Sequence, residues 1–222
     1  MARSGWWGRV ALGVAMAFSA SLWARAAEEA APPKGVKILG ISCSPRQGKT
    51  TSAALDLCLK AAQEVSPAIE VELIELAGLK IEGAVAAGED DFQKLVPKLT
   101  DPKVAGIIIG SPTYFGGPSS LCRAFLERWM VFRKGFALSN KVGGALAVGG
   151  ARNGGQELVI QSIQAAMLCQ EMVVVGDGKP TAHFGATLVS KDDSIAADDF
   201  GVATARNLGR RVAEVALRLA GR

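Results

Sequence analysis

The stretch Val36-Lys37-Ile38-Leu39-Gly40-Ile41-Ser42-Cys43-Ser44-Pro45-Arg46-Gln47-Gly48-Lys49-Thr50-Thr51-Ser52 decides the fold. Its first six residues are mostly apolar and β-branched, which predicts a strand. A Ser/Pro/Gly-rich loop follows from Ser42 to Gly48. A helical pattern then starts near Thr50 and places Ala54, Leu55, Cys58, Leu59 and Ala62 on one face. Strand, short polar loop and helix N-terminus, in that order, open a βαβ unit.

The same alternation runs outward through the chain. Ile69 to Leu76 alternates Val71, Leu73 and Leu76 with acids, as an outer strand does, and Asp90 to Leu99 predicts a short helix. Val104 to Ile109 is a continuous apolar run, the mark of a strand buried on both faces. Gly110 to Pro118 reads as a turn-rich loop. Ser119 to Phe132 reads as a helix with Leu121, Ala124, Phe125 and Trp129 inward. Val142 to Val148 predicts another buried strand, Gly149 to Gly155 a Gly-rich loop, and Gln156 to Cys169 a helix. Met172 to Val175 predicts a last strand and Phe200 to Leu219 a closing amphipathic helix. The result is an α/β three-layer sandwich with one five-stranded parallel sheet in the order 2-1-3-4-5. Such a sheet binds ligands at the carboxyl ends of its strands.

The first residues differ from this body. Arg3 and Arg9 make a basic start, Val10 to Trp23 is apolar and uncharged, and Ala24-Arg25-Ala26 fits a small-residue cleavage signal. Residues 1–26 therefore predict a signal peptide cut before Ala27, residues 27–35 a linker stiffened by Pro32-Pro33, and residues 36–222 the folded domain. Export to the periplasm is the expectation, and an uncleaved leader would instead anchor the chain to a membrane. The whole chain carries a formal charge of +4, but without Arg3, Arg9 and Arg25 it holds 22 bases against 21 acids. A nearly neutral body with no basic stripe gives nucleic acid no footing. The four cysteines, Cys43, Cys58, Cys122 and Cys169, form no C-x-x-C pair, and Cys58 and Cys122 fall in predicted helices as buried apolar residues.

Three loops fall at the carboxyl edge and carry the chemistry. In the first, helix-terminal N–H groups, the hydroxyls of Ser42, Ser44, Thr50, Thr51 and Ser52, and the Arg46 fork suit a phosphate monoester. The other reading is an ordinary helix cap by Thr50 or Thr51. Gly48-Lys49-Thr50 imitates the end of a Walker A loop, but Ser44 stands where its earlier glycine would be. In the second, Pro112, Thr113, Tyr114, Phe115 and Gly116 offer aromatic and main-chain groups to a flat heterocycle, or else plug the core. In the third, Gly150, Arg152, Gly154 and Gly155 allow close backbone approach to a ligand, or make a flexible turn.

With these loops in place, the chain resembles the NADPH-dependent FMN reductase family of flavodoxin-like proteins, and within it the iron-sulfur flavoprotein branch. The matching stretches are Ile38 to Thr51, Gly106 to Arg128 and Ala145 to Glu157. The resemblance implies FMN as cofactor. It assigns the phosphate to Ser42, Ser44, Arg46, Thr50, Thr51 and Ser52, and the isoalloxazine to Pro112, Thr113, Tyr114, Phe115 and Gly116. Gly150, Arg152, Gly154 and Gly155 would close over its other side. It also implies NAD(P)H as electron donor, a small-molecule acceptor or redox protein as partner, and a homodimer; Trp129, Met130 and Phe132 are candidates for its surface or, equally, residues buried within the monomer. That branch carries a compact cysteine cluster after its second strand. Here Leu76 to Asp91 holds no cysteine, so a cluster of that kind cannot form.

Hydride transfer to a flavin ring needs no protein acid or base, so no catalytic side chain is assigned. The single histidine, His183, reads as a loop or packing residue. Asp177, Asp192, Asp193, Asp198 and Asp199 read as solvated loop or cap acids without metal-ligand spacing. An exported, non-enzymatic electron carrier and a binding protein that lost its flavin are the rival functions.

Overall fold

The computed structural model describes residues 35–84 and 90–221. The expected signal peptide, and all but the last residue of the expected linker, lie outside the described residues. In chain order the elements are strand β1 (Val36–Ser42), helix α1 (Thr50–Gln63), strand β2 (Ile69–Glu75), a 3-10 turn (Asp91–Lys94) and helix α2 (Val96–Leu99). Strands β3 (Val104–Tyr114) and β4 (Gly117–Pro118) follow, then helices α3 (Ser120–Glu127) and α4 (Met130–Arg133). Strand β5 (Val142–Gly149), helix α5 (Gln156–Leu168), strands β6 (Val173–Val174) and β7 (Ala186–Val189), and helix α6 (Asp199–Leu219) complete it. Among the described residues no helix is long and apolar enough to cross a membrane.

The sheet runs β2-β1-β3-β5-β6, and its main ladders are parallel. This is the expected 2-1-3-4-5 order of a flavodoxin-like α/β fold. Among the described residues the strand count is seven rather than five, for two reasons. First, β6 pairs only Val173 and Val174 with the start of β5, so a further strand, β7, pairs with the end of β5 from Leu146↔Ala186 to Gly149↔Val189. The fifth position of the sheet is thus split, with residues 175–185 looping out between its halves. Second, β3 does not stop at Ile109. It continues alongside β5 as far as Pro112↔Val148 and then folds back as a hairpin, pairing Tyr114 with Gly117. Phe115 and Gly116 form the two-residue turn with φ of 51° and 76°, the primed-turn geometry that matches strand twist.

Alternation along the buried strands sends side chains to two separate cores. Leu39, Ile41, Ile107, Ile109, Ala145 and Ala147 join Phe92, Phe125 and Trp129 on one face. Ile38, Ile108, Leu146 and Val148 meet the apolar sides of α1 and α6 on the other. The first core is anchored by aromatic pairs, with Phe125 at 5.8 Å from Phe92 and 5.7 Å from Trp129 between ring centroids. Full burial of each such ring contributes on the order of 1.5–3 kcal/mol.

The helix expected over Ser119 to Phe132 is broken at Arg128 and Trp129. Arg128 is buried, ion-paired with Asp90, and its guanidinium lies 5.0 Å from the Phe92 ring centroid. Trp129 and Phe132 are buried, so neither offers a dimer surface; only Met130 of that trio is exposed. Pro97 likewise starts a new short helix where a continuous one was expected across Asp90 to Leu99.

Candidate functional site

The first loop is built around the start of α1. Lys49 is the N-cap residue and no side chain caps the helix, so the helix-cap reading of Thr50 or Thr51 does not hold. The first-turn amides therefore have no intrahelical partner and carry the positive end of the helix dipole. Ser44 shapes the turn: its hydroxyl accepts the Arg46 N–H and donates to the Arg46 carbonyl, both at 3.1 Å. Thr50, Thr51 and Ser52 are buried beneath the loop.

Carboxylates already sit against this loop. Glu75, at the end of β2, accepts the Gly48 N–H at 2.8 Å and the Ser52 hydroxyl. Asp193 pairs with Arg46 at 2.7 Å and Lys49 at 3.2 Å. Its placement comes from a tight turn in which Asp192 and Asp193 have φ of 51° and 55°, closed by the Lys191 N–H on the Ser194 carbonyl at 2.8 Å and the reverse bond at 2.9 Å. Asp193 is exposed as expected, yet engaged. Arg46 and Lys49 hold its carboxyl below the usual aspartate range. The donors of this loop are thus met by two carboxylates of the protein itself, through charge-assisted contacts. A cavity of about 450 Å³ opens beside it, lined by Lys49, Thr50, Ala53, Leu57, Asp193 and Ile195.

Ser42 and Ser52 are differently placed. Their hydroxyls are 3.0 Å apart, buried, and chained to Glu75. They brace β1, α1 and β2 rather than standing free in the loop.

The second loop is the hairpin. Ser111 supports it: its hydroxyl accepts the Ser119 N–H at 3.0 Å and donates to the Pro112 carbonyl at 2.9 Å. Tyr114 and Phe115 are exposed at its tip, so the core-plug reading fails. Thr113 presents a buried hydroxyl with no partner among the described residues. An orphaned hydroxyl beside exposed aromatics fits a flat ligand that brings its own hydrogen-bonding edge.

The third loop meets the second. A Cβ on Gly155, whose φ is +92°, would lie 3.0 Å from the Gly116 Cα, so only glycine allows this approach. Gln156, fully buried, ties the loop together. It donates to the Ala151 carbonyl at 2.6 Å and the Leu188 carbonyl at 3.3 Å, and accepts the Gly154 N–H at 2.9 Å. Gly150 and Gly154 remain exposed around it. Arg152 is engaged elsewhere. It donates to the Thr187 carbonyl at 3.1 Å, pairs with Asp198, and lies 5.3 Å from the Phe200 ring centroid. Asp198 also caps α6 through the Gly201 N–H.

Sequence reading missed Glu75, Gln156 and Asp193. Gln156 carried a signal, as an amide side chain opening a helix after two glycines. Asp193 had none, because its contact spans 147 positions of sequence. Asp177 was expected to be solvated but is wholly buried, accepting the Thr181 hydroxyl and the His183 N–H. His183 is an exposed loop residue, its Nδ1 3.4 Å from Asp177.

The parallel sheet, with three loops gathered at its carboxyl edge, defines a flavodoxin-like α/β protein. The match to known families agrees. Residues 36–187 fit the model of the NADPH-dependent FMN reductase family, and the chain belongs to that family. It is 43% identical to an iron-sulfur flavoprotein of Methanocaldococcus jannaschii over 192 residues, 81% of this chain and 97% of that one. It is 33% identical to an iron-sulfur flavoprotein of Methanosarcina thermophila over 191 residues, 81% of this chain and 95% of that one. Its fold is similar to a flavodoxin, WrbA-like protein from Agrobacterium tumefaciens, with a TM-score of 0.59 at 18% identity, covering 83% of this chain and 99% of that chain. The chain is accordingly an FMN-binding flavin oxidoreductase.

An iron-sulfur cluster does not fit it. Cys43 and Cys122 lie in one core and Cys58 in the other, across the sheet, while Cys169 is exposed. Among the described residues no group of three or more His, Cys, Asp or Glu side chains is arranged to hold a metal ion.

Proposed function

We propose that the protein takes reducing equivalents from NAD(P)H onto bound FMN and delivers them to a small-molecule acceptor or a redox protein. The observation that carries this reading is the pairing of an uncapped, cation-flanked helix start with the unsatisfied Thr113 hydroxyl in the aromatic hairpin. One end suits a phosphate and the other a flat heterocycle.

FMN supplies the hydride and electron chemistry when bound. The protein's part is to bind and orient it. The α1 amides, Ser44, Thr50, Thr51 and Arg46 would hold the phosphate. Pro112, Thr113 and Tyr114 would hold the ring, with the Thr113 hydroxyl serving a polar atom of its edge. Gly150, Gly154 and Gly155, braced by Gln156, would close the opposite side with main chain alone. Arg152 is left out of this set, because Asp198 and Thr187 already engage it. Phe115, fully exposed at the tip, and Leu158, 3.6 Å from a Cβ placed on Gly116, would cover the ring when a second copy or an acceptor docks.

Export through the leader belongs to the same proposal. N-terminal sequencing of the secreted protein should begin at Ala27, and retention of Met1 would refute cleavage. The donor is tested by adding NADPH or NADH to the flavin-loaded protein without oxygen. Loss of the visible flavin band with either supports the proposal, and persistence of the band with both refutes it.

A further inference from the structure

Two cysteines far apart in sequence meet beneath the site. Cys43 lies in the first loop, between Ser42 and Ser44, and Cys122 lies in the first turn of α3, directly after the hairpin. Both are fully buried in the same core. The Ser119 hydroxyl fixes the two backbones to one oxygen: it donates to the Cys43 carbonyl at 2.6 Å and accepts the Cys122 N–H at 3.0 Å. The Cys122 thiol is near enough to the Cys43 thiol to perturb it. The other two cysteines have no such relationship, since Cys58 sits in the opposite core and Cys169 on the surface.

We propose that Cys43 and Cys122 are a redox-active dithiol whose disulfide fastens the anion loop to the helix behind the hairpin. The oxidant is a low-molecular-weight disulfide. One protein thiolate attacks a sulfur of that disulfide, forming a mixed disulfide and releasing one thiol. The second protein thiolate attacks the protein sulfur of the mixed disulfide, forming the Cys43–Cys122 bond and releasing the second thiol. Two protein S–H bonds and one external S–S bond are lost. One protein S–S bond and two external thiols are gained.

Burial, with the neighbouring Cys122 thiol adding to it, pushes the Cys43 thiol well above its ordinary range. Exchange therefore passes through local opening of the loop, and it is slower than at an exposed cysteine such as Cys169. Once formed, the bond joins the first loop to the element that follows the second and restricts that opening. Its effect on FMN rests on the function proposed above; the disulfide itself does not.

The test uses the full chain equilibrated in mixtures of reduced and oxidised glutathione, quenched in acid, unfolded, alkylated and mapped by peptide mass spectrometry. A peptide pair linking Cys43 to Cys122, two hydrogens lighter than its reduced form, should appear in oxidising mixtures and vanish in reducing ones. It should persist in Cys169→Ser and be lost in Cys122→Ser. If Cys122→Ser fails to fold, the wild-type and Cys169→Ser maps decide alone. Alkylation of both Cys43 and Cys122 in every mixture, or pairing of Cys43 only with glutathione or Cys169, overturns the proposal. FMN release, followed by its fluorescence, should be severalfold slower from the oxidised form. Equal rates with the linked peptide present would overturn the coupling to the loop while leaving the disulfide in place.

Discussion

Arg46 and Asp193 are joined across 147 positions of sequence by a 2.7 Å contact from guanidinium to carboxylate. Both side chains are about half exposed, so the pair is screened by salt and easily exchanged for a better anion. A phosphate approaching the loop competes with Asp193 for Arg46 and Lys49. Asp193→Asn should therefore tighten FMN binding severalfold, with the gain shrinking as salt is added. Arg46→Ala should weaken it roughly tenfold, about 1.4 kcal/mol. Fluorescence titration with FMN measures both, and an affinity unmoved by Arg46→Ala would remove Arg46 from the site.

Thr113 separates binding from stability. Its buried hydroxyl has no partner among the described residues, so replacing it by an isosteric methyl costs the unliganded fold nothing or stabilises it slightly. Thr113→Val should leave the melting temperature of the flavin-free protein unchanged or raised, yet weaken FMN binding by about 1 kcal/mol. Equal loss in both measurements would mean the hydroxyl serves the fold.

Gly155 should be intolerant of any side chain. Alanine there combines a left-handed backbone with a Cβ 3.0 Å from Gly116. Gly155→Ala should destabilise the fold by about 1–2 kcal/mol and push the third loop off the hairpin. Thermal unfolding reads the first effect and FMN titration the second.

Acid should weaken the fold through Asp90. Burial opposes its charge, but the Glu82 amide, the Arg128 guanidinium and the Phe92 amide outweigh it and hold the carboxyl below its usual range. A depressed folded-state pKa gives stability that is present above the unfolded value, about 3.9, and lost as pH falls through the folded one. Melting temperature should therefore drop below about pH 4. Arg128→Met leaves the buried Asp90 carboxylate unpaired and should cost about 3 kcal/mol at neutral pH. It should also flatten or reverse that acid slope, because protonating Asp90 then relieves a cost. A slope unchanged from wild type would exclude this pair as its source.

The layered fold was legible because its signals are local. The apolar runs at Val36, Val104 and Val142 and the helical face from Ala54 to Ala62 each sit within one window of sequence, and the strand order followed from their alternation. The split fifth strand was not legible. Val173–Val174 is too short to announce where pairing stops, and β7 is set by its partner β5 rather than by its own four residues. The hairpin was hidden because Gly and Pro usually mark irregular loops, yet here Phe115 and Gly116 make a tight turn inside a continuing ladder. At the site, loop composition pointed to Ser44, Arg46 and Thr113. Composition could not show that Arg152 turns to Asp198, that Ser42 and Ser52 brace Glu75, or that Asp193 reaches Arg46. Each of those depends on elements brought together only by the finished sheet.

A visible absorption spectrum of the purified, FMN-reconstituted and desalted protein tests the central claim most directly. The spectrum should show a retained flavin, bound one per chain, whose visible band is lost when NADPH is added without oxygen and returns when an acceptor follows. A colourless protein after desalting would contradict the flavin site itself, and a yellow protein indifferent to both nicotinamides would contradict the proposed electron donor.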